Sequence, residues 1–216
     1  NCQVQLLDDE DSILITGDII EINDQTEKMT IQSGVMIQGQ DLNGHCYSME
    51  FESNYGIIHM LINPVIWFND VQVTGDKIML FRKENQLDSI YIPKNPFIIS
   101  PQDSLIYNNQ ITGNTLEGKF RKNQIEYIQL YGNSKIKYFD KNQKNKTIIG
   151  INNIEAGTIK LLFQDNNVKS MLCVNQIESN HIEIDTTQTQ TNKIQELIEL
   201  EGYEIRKKNT IIKKYY

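Results

Sequence analysis

Histidine and cysteine are the side chains best suited to acid–base, nucleophilic or metal chemistry near neutral pH. The chain has three of each: His45, His59 and His181, and Cys2, Cys46 and Cys173. Their spacing supports none of these roles. No histidine has a cysteine or another histidine at the short separations that zinc sites use, so each reads as a structural or surface residue. The cysteines are odd in number and far apart, which fits neither a disulfide framework nor a ligand set. Buried or free thiols are expected, with one long-range disulfide as the alternative. Asp8, Asp9, Glu10 and Asp11 lack the alternate spacing and the glycine of a calcium loop and read as a solvated segment. There is no G-x-S-x-G elbow, no G-x-x-x-x-G-K-[ST], no G-x-G-x-x-G and no H-E-x-x-H. The chain is therefore read as non-enzymatic, with no cofactor and no metal.

A formal charge of -7, from 21 basic and 28 acidic residues, argues against a nucleic-acid partner, since such binders draw affinity from Lys and Arg on phosphates. Two basic runs, Lys135, Lys137, Lys141, Lys144 and Lys146, and Arg206, Lys207, Lys208, Lys213 and Lys214, read as solvated faces. No apolar stretch reaches the roughly 18–20 residues that a membrane-crossing helix needs. The chain starts Asn1-Cys2 without a signal-like segment, so it is expected to be cut from a longer precursor.

The elements that would position any site are strands. From Ser12 to about Ile184 apolar and polar residues alternate in short runs, the period-2 pattern of strands with one buried face. Such runs lie at 13–23, 28–38, 77–81, 87–92, 123–131, 135–139 and 158–163, divided by turn residues such as Ser33-Gly34, Asn43-Gly44 and Asp165-Asn166-Asn167. A short phrase recurs: ITGD (15–18), VTGD (73–76) and ITGN (111–114), with YGN (131–133) read as a degenerate fourth copy. It describes one strand-corner-strand unit used repeatedly, at intervals too irregular for a solenoid. Trp67 is assigned to the core. Residues 185–193 read as a polar linker, and 194–205 as a short helix capped by Asn192 and stopped by Gly202. The basic end reads as frayed or as a last strand. Period-2 burial is common to a sealed core and to a ligand groove, and alternation alone does not separate them.

Four segments in order, NPVIWFNDVQVTGDKIML (63–80), PFIIS (96–100), YNNQITGNTLEGKF (107–120) and IQLYGNSKIKYF (128–139), resemble OstA-like lipopolysaccharide-transport proteins of the Bacteroidetes type. The shared pattern is a Pro-x-x-Trp before T-G-D, an N-Q-I-x-G-x-x-L-x-G-x-F, and a G-N leading into an aromatic strand. The likeness runs from about Asn63 to Ile184. The first 60 residues match only in style, and the end departs, with Thr-rich sequence and RKK where the family carries prolines and RP.

The resemblance implies an all-β fold, a β-taco or jelly roll of two antiparallel sheets with open edges, spanning 1–184, followed by the linker, short helix and basic tail of 185–216. It implies a periplasmic or cell-envelope protein that binds lipopolysaccharide or a related lipid. Its partners would be other transport proteins, joined by edge-strand stacking, with a head-to-tail homo-oligomer as one form. Alternation within the resembling region gives the expected groove lining as Ile78, Leu80, Ile90, Ile92, Phe97, Ile99, Leu116, Phe120, Ile128, Leu130, Ile136 and Tyr138. The alternative is an envelope scaffold that joins partners through its strand edges and carries no lipid.

Overall fold

The computed structural model describes residues 2–6, 13–39, 42–52, 56–84, 86–101, 107–122, 124–142, 144, 147–164, 167–183 and 199–207. The predicted acidic segment at 8–11 and linker at 185–193 lie outside these residues. In chain order the strands are β1 (Cys2–Leu6), β2 (Ile13–Gly17), β3 (Ile19–Asn23), β4 (Lys28–Gln38), β5 (Leu42–Glu52), β6 (Ile57–Leu61), β7 (Val65–Phe68), β8 (Val71–Thr74) and β9 (Lys77–Lys83). They continue with β10 (Gln86–Ile92), β11 (Phe97–Pro101), β12 (Asn108–Thr112), β13 (Thr115–Arg121), β14 (Gln124–Lys141), β15 (Ile148–Gln164), β16 (Asn167–Val174) and β17 (Glu178–Glu183). The all-β expectation holds, and every ladder is antiparallel.

The pairings describe one up-and-down ribbon folded along its midline. The chain crosses the fold line in ten successive passes: β2 to β3, β4, β5, β6 to β7, β8 to β9, β10 to β11, β12 to β13, β14, β15, and β16 to β17. Each pass pairs with the one before and the one after it. On one side of the line lies a first sheet: β1, β2, the end of β4, the start of β5, β7, β8, β11, β12, the end of β14, the start of β15, and β17. On the other side lies the second sheet: β3, β6, β9, β10, β13, β16 and the remaining halves of β4, β5, β14 and β15. The two sheets face each other, which is the taco form. Among the described residues β1 and β3 at one end, and β16 and β17 at the other, pair on one side only.

A sheet cannot fold over without interrupting its ladders, and each interrupted backbone donor needs a new acceptor. The passes solve this in pairs. In the first pass Asp18 N donates to the carbonyls of Gln32 and Ser33 in the second, both at 3.1 Å. Tyr47 N then donates to Ile62 O (3.0 Å), Asp76 N to Lys94 O (3.1 Å), Asn114 N to Tyr131 O and Gly132 O (2.9 Å), and Gly157 N to Asn175 O (2.7 Å). Odd passes donate and even passes accept. The accepting passes turn their carbonyls toward the donors with left-handed residues: Ser33 and Gly34, Ile62 and Asn63, Asn95, Gly132 and Asn133, and Asn175 and Gln176. The ITGD, VTGD and ITGN phrases are all donor corners. YGN is not a fourth copy; Gly132 and Asn133 form the acceptor corner that receives Asn114.

Between the sheets lies a core built from inward side chains of both, including Ile15, Ile31, Met49, Met60, Ile78, Leu116 and Ile128, all fully buried. The tilted Phe68–Phe120 pair, with ring centroids 4.9 Å apart, joins one sheet to the other across the core. The expected C-terminal helix is absent from 199–205, while 194–198 lies outside the described residues. Leu200–Tyr203 form a turn (Tyr203 N to Leu200 O, 3.0 Å) with Gly202 at φ 88°. Gln110 takes Leu200 N at the start of the turn, and past it Gln72 takes Glu204 O and Arg206 N, backbone groups that a helix would pair internally.

The corners make two opposite predictions. Gly132 sits at φ 70°, and a Cβ there would lie 2.6 Å from Asn114 Nδ2, so Gly132→Ala is expected to destabilise the fold by about 1–3 kcal/mol. Ile62 is branched, left-handed and half exposed, so Ile62→Asn should stabilise it by about 1 kcal/mol. Urea unfolding checks both, and equal effects of the two substitutions would contradict the seam account.

Candidate functional site

Of the residues expected to line a groove, Ile78, Leu80, Ile90, Ile92, Leu116, Phe120, Ile128, Leu130 and Ile136 all point between the sheets and belong to the core. All nine are buried, at 5% exposure or less. Tyr138 points the same way but is 42% exposed. Phe97 and Ile99 point the opposite way, onto the outer face of the first sheet. Ile98 takes the inward position instead, opposite Val73 and Ile111. The corner between Pro93 and Pro96 resets the alternation, and a shift of one residue reverses every side chain in a strand.

Where the sheets part near β14, β15 and β16, the interior opens into a cavity of about 480 Å³. Val71, Ile111, Ile136 and Tyr138 line it from the first sheet, and Leu161, Phe163, Val168 and Met171 from the second. Asn69, Asp70, Ser100 and Asn109 form a polar rim, with the Pro101 ring among them. This is a greasy pocket with a wet mouth and a volume within the roughly 300–1,000 Å³ typical of small-molecule sites. Only Ile136 and Tyr138 were anticipated. Leu161 and Phe163 carry the same alternation as their neighbours, whereas Val168 and Met171 lie on β16, a strand without a clear polar face. That strand exposes Val168 and Met171 inward and Leu172 and Val174 outward, with nothing paired to its outer edge among the described residues. β17 beside it presents Glu178, His181 and Glu183.

The outer face of the first sheet is covered by residues 199–207, which cross it from β12 through β11 and β8 toward β5. Leu200 N donates to Gln110 Oε1 (2.7 Å). Gln72 Nε2 donates to Glu204 O (2.7 Å), and Gln72 Oε1 accepts from Arg206 N (2.8 Å). Asn108 Nδ2 donates to the Tyr203 hydroxyl (2.8 Å), the Tyr203 ring meets Phe97 edge-on, and Arg206 Nη1 donates to Asn63 O (2.9 Å). Beneath the end of this segment His45 packs against Trp67, with ring centroids 5.2 Å apart. Between the segment and the fold line runs an open groove of about 940 Å³ that includes Asn63, Asp76, Asn114, Lys135 and Glu201. Lys137 and Arg206, expected on solvated faces, are drawn in here: Lys137 is buried on the outer face of the first sheet, which lowers its ammonium pKa.

The other reactive side chains stay apart. Among the described residues no three His, Cys, Asp or Glu side chains are placed to hold a metal ion. Among the described residues no helix is long and apolar enough to cross a membrane. Cys2, Cys46 and Cys173 are all free thiols, and burial pushes the Cys46 thiol up to about 12, away from nucleophilic use. His59 contacts Glu52 at 3.4 Å. His181 Nδ1 meets Asn152 Oδ1 at 2.9 Å and Asp140 at 3.7 Å in a half-exposed cluster.

His45 gives the covering segment a pH dependence. Burial first, and the Arg206 guanidinium second, push its pKa down to about 4 from an ordinary 6.5. The covered state thus holds the ring neutral, so docking is at full strength above about pH 6.5. It weakens as pH falls toward 4, by at most about 1.4 kcal/mol per pH unit. Trp67 is the sole tryptophan, so its emission should change across this window and His45→Phe should flatten the profile. An unchanged profile in that variant would assign the transition to other groups.

No family model matches the chain, and no curated protein does. Among solved structures it is similar to LptH of Pseudomonas aeruginosa, described as the LptA-homologous periplasmic component of the lipopolysaccharide transport device. The identity is 14% over 65% of this chain and 94% of that one, with a TM-score of 0.45. A likeness this distant assigns no family and no ligand.

Proposed function

We propose that the chain binds the acyl chains of lipopolysaccharide or a related lipid between its sheets and hands the lipid on within the cell envelope. The observation that carries this reading is the apolar cavity beside β16, open at the rim and lined from both sheets. Burying hydrocarbon contributes about 0.8 kcal/mol per CH₂, so such a lining holds acyl chains without a basic site, which suits a chain of net charge -7. The ordered segments between Asn63 and Phe139 that resemble OstA-like proteins support the same reading. On this reading acyl chains enter at the cavity beside β15 and β16, and passage along the whole interior requires the Phe68–Phe120 contact to part. Periplasmic placement and lipid-transport partners belong to this proposal.

A second reading is favoured by one specific feature, the β16 edge. An edge strand with apolar side chains exposed on both faces is a template for pairing with another chain. On this reading the chain joins envelope partners, or further copies of itself, through β16 and carries no lipid.

The two separate by face. Tyr138→Glu places a charge in the cavity, while Leu172→Glu places one on the outer face of the β16 edge. If lipid binds between the sheets, Tyr138→Glu should lower uptake of labelled lipopolysaccharide by the delipidated protein about tenfold, or about 1.4 kcal/mol. Leu172→Glu should leave uptake intact and weaken association alone. Wild-type protein that takes up no lipid, or two variants with equal uptake, would remove the lipid reading.

A further inference from the structure

The inner face of the first sheet changes character at the mouth of the cavity. Ile98, Ile111, Ile136 and Ile154 stand opposite one another in an aliphatic row across β11, β12, β14 and β15. Two residues nearer the mouth on each strand, and so on the same face, comes a polar row. Ser100 stands opposite Asn109, Tyr138 opposite Asn152, and Asn152 opposite His181. Asn109 Oδ1 accepts from Phe139 N (3.1 Å), which ties it to β14 and leaves its Nδ2 as the donating group. Asn152 Nδ2 donates to Asp140 Oδ2 (2.6 Å), since a carboxylate only accepts. Asn152 Oδ1 therefore faces His181 Nδ1 (2.9 Å), so Nδ1 carries the proton of the neutral ring and Nε2 is its acceptor. Gly150 makes room for that ring, because a Cβ there would collide with His181 Cε1.

We propose that this row holds the head of the bound lipid, and that the head it selects carries hydroxyl and amide groups and no phosphate. The inference rests on the lipid reading above and adds which lipids are accepted. Three observations carry it. Tyr138 lines the cavity and also stands in the row, so a lipid with its acyl chains in the cavity has its head at the row. The row itself offers hydroxyls, carboxamides and an imidazole, groups that donate and accept in the manner of a sugar or an N-acyl linkage. Charge then decides against phosphate, which is ordinarily held by Arg, Lys or converging backbone N–H groups. Among the described residues no Lys or Arg lines the cavity, whereas Asp70 stands on its rim. Asp140 and Glu183 share the face of the row, both set opposite Gly150. Lys137, between Ile136 and Tyr138, is turned to the outer face. A phosphorylated head would thus meet carboxylates with no cation in the row to offset them.

Two probes with identical acyl chains isolate the head: radiolabelled lipid A with its phosphates, and the same lipid A after their chemical removal. Each is equilibrated with the delipidated full chain, and the two affinities are expressed as a ratio, which does not depend on the fraction of protein folded. The wild-type chain should bind the dephosphorylated form about tenfold more tightly, or better. Ser100→Lys places a cation in the row and should narrow that ratio or reverse it. Uptake of both forms with equal affinity, or preference for the phosphorylated one, would overturn the head-group inference and leave the lipid reading standing. A wild-type preference that Ser100→Lys leaves unchanged would overturn the placement of the head at this row. Uptake of neither form would remove the lipid reading and this inference with it.

Discussion

Everything in this fold depends on how backbone N–H groups are satisfied along the line where the ribbon doubles over. A flat ladder has no orphans, but a folded one leaves a row of them where the hydrogen-bond direction turns through the bend. Here each orphan donor of one pass is aimed at a carbonyl of the next, and left-handed residues swing those carbonyls into place. The two sheets can then face each other at close range, and the hydrophobic interior follows from that closeness. Ser33 Oγ donating to Asp18 Oδ2 and Asn95 Nδ2 donating to Asp76 Oδ1 tie the same corners with side chains.

The inner and outer faces of the first sheet have different uses. Inside, Ile66, Val73, Ile98, Ile111 and Ile136 form an aliphatic row whose members stand opposite one another across successive strands. Outside, the adjacent row runs through Trp67, Gln72, Ile99, Gln110 and Lys137. Polar and apolar side chains alternate there because this face is also covered, by a chain whose own backbone needs partners. Burial on both faces leaves few places for a free ligand to enter. The cavity is accordingly found where cover gives out, beside the last strands of the second sheet.

The strands were legible because alternation is a local property, and nine of the twelve residues expected to line a groove face the space between the sheets, in the buried cluster. Two features were hidden because they are not local. The register across Pro93–Pro96 depends on which residue of β11 meets Val73, and nothing within PFIIS signals that choice. The segment at 199–207 follows an apolar stripe of helical spacing in the sequence, Ile194, Leu197 and Ile198, yet its own backbone bonds go to Gln72 and Gln110, far away in sequence. A glutamine between two valines in VQVT was the available sign, since a polar side chain in a strand covered on both faces must have a partner. The cavity leaves no mark in the sequence for a related reason: a ligand cavity and a closed core share one periodicity.

The pairing of passes at the fold line sets a parity rule on the length of the ribbon. Among the described residues each pass shares ladders only with its neighbours, so the hydrogen bonding is close to one-dimensional, and a pass can be gained or lost without disturbing distant ladders. The rule on donors and acceptors restricts this. Removing two adjacent passes, one donor and one acceptor, leaves the seam intact, whereas removing one brings two donor corners or two acceptor corners together. Length variants of this architecture should therefore differ by whole hairpins that contain one corner of each kind, and their spare loops should lie at the rim.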